Sequence, residues 1–118
     1  MRVFAHHLYE YNKGLRRLVL HTTRMEYCDA IIAKLERRRI SYIIQDVTET
    51  KMNIFFGADY CIEVLKTFPH LNLRKLSTDK DFILGAMLGY DMKVHCRRYL
   101  SMVRPAGEES GCETLRVV

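Results

Sequence analysis

The 118-residue chain predicts an α+β domain: a ferredoxin-like βαββαβ core over about residues 15–76, an alpha-beta sandwich, with one helix before it and two after it. Three observations predict this. Short β-rich runs alternate with segments of helical apolar spacing in the order strand, helix, strand, strand, helix, strand. Only Thr48, Glu49, Thr50 and Lys51 join the second and third strands, a hairpin-length turn. Beyond residue 77, two helical stretches meet at Gly89. The length suits one domain, residues 1–103, followed by a flexible tail at 104–118 that mixes Gly, Glu, Ser and Pro.

Each element has its own signal. In residues 3–12, Val3, Phe4, Leu8 and Tyr11 share a helical face with His7, and Gly14 supplies a left-handed stop. The rival for this segment is a hairpin arm turning at Asn12-Lys13-Gly14. Residues 15–22 read as a strand. Thr23 and Glu26 then have capping-box spacing, opening a helix to about Arg39 with Cys28, Ile31, Ile32 and Leu35 inward. Residues 41–48 and 51–57 read as strands. Asp59 is placed to cap a second helix with Cys61, Ile62, Leu65 and Phe68 inward, and Pro69 ends it. Residues 72–76 are the candidate fourth strand. Thr78 and Asp81 have the spacing of a cap for the third helix, with Phe82, Ile83, Met87 and Leu88 inward. Asp91 caps the last helix, which Arg104-Pro105 ends.

Composition narrows the class of function. Hydrophobic residues make up 48% of the chain and charged residues 28%, which sets it apart from disordered sequences. No apolar run reaches the roughly 18–20 residues of a membrane span. Residues 1–7 lack a signal-peptide core. Four cysteines, Cys28, Cys61, Cys96 and Cys112, lie far apart without metal-ribbon spacing, so they read as reduced thiols in a cytoplasm. The net charge is +5, with +6 on residues 1–103, which favours acidic partners.

Two local clusters could carry function. In the cluster of His6, His7 and Glu10, His6 and Glu10 lie one helical turn apart and could hold a metal or a small ligand, although His7 falls on the apolar face and no H-E-x-x-H spacing is present. Tyr9, Glu10, Lys13, Arg16 and Arg17 form a polar-aromatic segment whose arginines are forked donors for an anionic group or an acidic protein surface. A nucleic-acid interface of the RNA-recognition type is disfavoured. Lys51-Met52-Asn53-Ile54-Phe55-Phe56-Gly57 lacks the required signature, and only one of the adjacent Phe55 and Phe56 can face out of the sheet. No phosphate-binding loop or nucleophile motif appears, so neither an enzymatic activity nor a cofactor is predicted.

Several strings resemble a known family: His6-His7-Leu8-Tyr9-Glu10-Tyr11 with Lys13-Gly14-Leu15-Arg16, then Asn53-Ile54-Phe55-Phe56-Gly57, then Asp81-Phe82-Ile83-Leu84-Gly85 with Leu88-Gly89-Tyr90-Asp91. Together they resemble a small bacterial family known only as a domain of unknown function. The resemblance implies a cytoplasmic bacterial protein without an assigned activity, with relatives encoded beside a flavodoxin. Flavodoxins are acidic, so a basic domain could dock one through complementary charge. The expected function is therefore a binding or regulatory domain for an acidic protein. A homodimer would be a second way to cover an open sheet face.

Overall fold

The computed structural model describes residues 1–104. Helix α1 (Arg2–Asn12) leads into strand β1 (Leu18–Arg24), a single 3-10 turn (Met25–Tyr27) and helix α2 (Cys28–Arg37). Strands β2 (Ser41–Asp46) and β3 (Lys51–Gly57) follow, then helices α3 (Asp59–Lys66), α4 (Thr78–Leu88) and α5 (Met92–Val103). The α+β class is as expected. The predicted tail and Cys112 lie outside the described residues. Among those residues, no helix is long and apolar enough to cross a membrane.

The three strands form one antiparallel sheet in the order β1-β3-β2. Central β3 pairs Phe56 with Val19 and Tyr42, and Gly57 with Leu18 and Ser41. Side chains alternate across the pleat. One face therefore carries Val19, Met52, Ile54 and Phe56, which pack with Phe4 and Leu8 of α1 and Ile31 and Leu35 of α2. The other face carries Leu18 and Phe55, which pack with Cys61, Ile62 and Leu65 of α3 and Leu84 and Leu88 of α4. Both faces are covered.

This corrects the ferredoxin-like expectation in two respects. That core needs four strands with its helices on one face, whereas here α2 and α3 lie on opposite faces. The cause is β3, which is apolar on both sides of its pleat, so each face requires cover. The predicted strand at 72–76 also does not form. Asn72 makes a turn instead: its carbonyl accepts from the Lys75 N–H and its side chain accepts from the Arg74 N–H. Leu71, Leu73 and Leu76 then pack on the second core as an irregular strap.

Three expected caps differ as well. Thr23 stays in β1 opposite Met52, and the Met25 N–H reaches the Thr50 carbonyl. Ladder hydrogen bonds thus extend past the capping box, and α2 begins only at Cys28. Ala58, not Asp59, is the N-cap of α3, and the Asp59 carboxylate accepts from the Ser41 hydroxyl. Ser77, not Thr78, precedes α4, and Asp81 is engaged elsewhere. Asp91 does cap α5, accepting from the Val94 N–H at 3.0 Å. Gly14 and Gly89 both adopt the left-handed backbone that ends a helix, as expected.

Cys28, Cys61 and Cys96 are free thiols, and burial raises the pKa of the first two. Cys28 packs against the first core and Cys61 lies within the second.

Candidate functional site

The site begins with the way α1 turns into β1. The Leu15 N–H bonds to the Glu10 carbonyl and the Gly14 N–H to the Tyr11 carbonyl, so the chain doubles back within Lys13–Arg17. This brings Arg16 beside the last turns of α1. Glu10 Oε1 lies 3.8 Å from Arg16 Nη1, 3.7 Å from His7 Nδ1 and 3.5 Å from His6 Nε2. Arg16 Nη1 is 3.4 Å from His7 Nδ1 and must be the donor, which places the proton of a neutral His7 on Nε2. The His7 pKa is lowered by burial and by Arg16, with Glu10 opposing.

Behind this cluster sits His21 of β1, buried between the rings of Phe4 and His7 at 5.6 and 5.4 Å. Burial, then His7 and the N-terminal ammonium, lower its pKa to about 4.

A groove of about 550 Å³ opens next to the cluster. Glu10, Leu15, Arg16 and Arg17 line one wall, and Met87, Gly89 and Tyr90 line the other. Glu10, Leu15 and Arg16 belong to the first of the sequence strings quoted above, and Gly89 and Tyr90 to the last. Tyr9 and Lys13 stand outside the groove on the same corner, with Lys13 Nζ 5.6 Å from the centre of the Tyr9 ring.

The structure thus assembles Tyr9, Glu10, Lys13, Arg16 and Arg17 at one corner of the molecule and divides them by role. Glu10 and Arg16 are half-buried and engage each other. Tyr9, Lys13 and Arg17 are exposed. Arg17 makes no ion pair among the described residues, and its carbonyl accepts from the Ala58 N–H. The histidine cluster has a different character from a metal centre. His6, His7 and Arg16 converge on one carboxylate oxygen, and the guanidinium stands where a cation would have to enter. Among the described residues, no group of three or more His, Cys, Asp or Glu could hold a metal. Phe55 and Phe56 are both fully buried, so neither offers a stacking surface for a base.

Sequence reading missed Met87 and Tyr90 in the second wall, and it missed the role of His95. That imidazole is 3% exposed, stacks on Phe82 at 4.7 Å, and donates from Nε2 to the Phe82 carbonyl at 2.8 Å. It lies directly over Gly85, where a Cβ would overlap the ring. Glycine inside an otherwise good helix was the available signal. Gly85→Ala should lower stability by about 2 kcal/mol, because overpacking outweighs a helix-propensity gain of about 1 kcal/mol. In a His95→Ala background the same change should be neutral or stabilising. Urea titrations of the four proteins would show this, and equal costs in both backgrounds would refute the contact.

A family model described as "Protein of unknown function (DUF2023)" matches residues 2–102. The chain belongs to this family. No curated protein matches it. The DUF2023 match runs from the first residue of α1 into the last turn of α5, so it takes in both walls of the groove and the His95–Gly85 contact. The family description assigns no activity, and the functional reading of this DUF2023 chain rests on its site.

Proposed function

We propose that this DUF2023 chain is a non-catalytic binding or regulatory domain of the bacterial cytoplasm that docks an acidic protein through the corner formed by Tyr9, Lys13 and Arg17. The observation that carries this reading is the division of labour at that corner. Glu10 neutralises Arg16 and holds the turn, while Lys13 and Arg17 remain solvent-facing beside the groove. Exposed basic groups around an aromatic side chain suit fast, salt-sensitive docking to an acidic surface. A flavodoxin, the partner implied by the family resemblance, is the first probe to use.

The pairing of Glu10 with Arg16 decides which variant tests the idea. Arg16→Glu would set two carboxylates together and disturb the turn itself. Lys13→Glu with Arg17→Glu leaves Glu10 and Arg16 paired. Its affinity for the acidic protein should fall at least about tenfold at low salt, and the difference should shrink at high salt. The melting temperature should hold, because both side chains are exposed. Unchanged affinity in the folded double variant would remove this corner as the contact region. Binding of nucleic acid alone would overturn the partner class.

A further inference from the structure

A cavity of about 530 Å³ opens between β1, the strap at 71–76 and the helix pair α4–α5. Leu20, Leu73 and Leu76 reach it from positions only partly buried against the second core, and Leu84 and Val94 complete an apolar lining. His95 is the buried residue of α5 and seats that helix over Gly85, while Val94 beside it stays 65% exposed. A cavity of this size suits a small organic molecule.

The polar groups of the lining are mostly acceptors. The Phe82 carbonyl can only accept, so His95 Nε2 carries the proton of the neutral ring and Nδ1 keeps a lone pair. That Nδ1 is buried and has no hydrogen-bond partner among the described residues, whereas buried polar groups are normally paired. Asp81 and Asp91 set two carboxylates against one cation, Arg98, so the lining carries a net charge of −1. Arg98 is already engaged, because its Nε and Nη2 each donate to Asp81 at 3.0 Å. Asp91 accepts from the Val94 N–H and has no ion pair among the described residues. Lys93 and Arg97, the other cations of α5, are exposed and do not line the cavity. Tyr90 also lines it and meets the His95 ring edge-on at 5.9 Å.

We propose that this cavity binds a small molecule with an apolar body and a protonated amine. The body lies against Leu20, Leu76 and Leu84. The ammonium supplies the donors that the lining lacks. Asp91 and His95 are four residues apart, and the His95 N–H bonds to the Asp91 carbonyl, so both side chains start from one face of α5 and one amine can serve them together. Asp91 then gains a counter-charge, His95 Nδ1 gains a donor, and the Tyr90 ring favours a cation beside it. The same groups select against an anion: Asp91 repels it, and the guanidinium that would attract it is held by Asp81. A neutral molecule leaves Asp91 without a partner charge.

NMR titration of the full chain with phenethylamine, and with hydrocinnamate as an anion of similar shape, tests this. The amine should give saturable shifts at the Leu20, Leu84 and Val94 methyls and should move the His95 Nδ1 resonance as that atom accepts a hydrogen bond. Hydrocinnamate should bind at least about tenfold more weakly. Asp91→Asn should cut the affinity for the amine at least about fivefold and should not weaken binding of the acid. Asparagine caps a helix as well as aspartate does, so this variant should keep its melting temperature. No saturable shift with millimolar amine, equal binding of the two probes, or unchanged amine affinity in Asp91→Asn would overturn the proposal. So would shifts confined to the outer groove of α4 and α5 at Phe82, Tyr99 and Leu100.

Discussion

Acidification from pH 7 to pH 4 should cost the protein about 3 kcal/mol of folding stability through His21, and His21→Leu should abolish that loss. The sign follows from the direction of the shift. His21 sits in an apolar wedge between Phe4 and His7, and its pKa in the folded protein is about 4, against 6.5 for an unperturbed imidazole. Above about pH 6.5 the ring is neutral in both states and contributes no pH dependence. Between 6.5 and 4 the unfolded chain binds a proton that the folded protein refuses, so stability falls by about 1.4 kcal/mol per pH unit. Below about 4 both states are protonated and the loss is complete. His7, lowered in the same direction, adds to the slope. Urea titrations at pH 7, 6, 5 and 4 would measure it. Leucine matches the apolar surroundings and cannot titrate, so its curve should retain only the His7 share. Parallel curves for the two proteins would show that His21 is not the sensor. The effect also reaches the proposed docking corner. Protonated His7 would repel Arg16, whose guanidinium now donates to it, so acid should loosen the turn that presents Lys13 and Arg17.

Much of this corner was legible in the sequence because its parts are neighbours along the chain. Helical spacing in α1 places Glu10 one turn from His6, and Gly14 in a left-handed conformation returns Arg16 to the same place. The hairpin of β2 and β3, the Gly89 stop and the Asp91 cap were legible for the same local reason. What was not legible depends on distant partners. Leu71, Leu73 and Leu76 have the composition of a short strand, but their leucines are drawn onto the sheet face, and Asn72 closes a turn among them. Thr23 has the spacing of a cap, but the ladder opposite Met52 competes for it and wins. Opposite placement of α2 and α3 could have been inferred from Met52-Asn53-Ile54-Phe55-Phe56, a run too apolar for a sheet with one open face. The wall containing Met87 and Tyr90 had no such cue, since it exists only because α4 crosses β1.

Gly57→Ala should be the most damaging single substitution, at about 4 kcal/mol, from backbone strain, a close overlap and a weakened ladder bond together. Gly57 has φ +152°, a conformation that residues with a side chain rarely adopt. Its missing Cβ would overlap the carbonyl of Arg17, which is backbone and is already held by the Ala58 N–H. Neither group can yield without opening the row Leu18–Gly57–Ser41, which spans all three strands. Gly14→Ala is the matched control. It too has a positive φ, +75°, but open space surrounds it, so only about 1 kcal/mol of left-handed strain applies. Chemical denaturation of both variants separates the two causes: similar small losses would mean that conformation, not the Arg17 carbonyl, sets the requirement for glycine at 57. The distinction matters for the proposed docking. If that carbonyl pins the start of β1, then Gly57 aims Arg17 from across the sheet, and residual folded Gly57→Ala protein should bind the acidic partner less well. Gly14→Ala, which leaves the pin intact, should bind it normally.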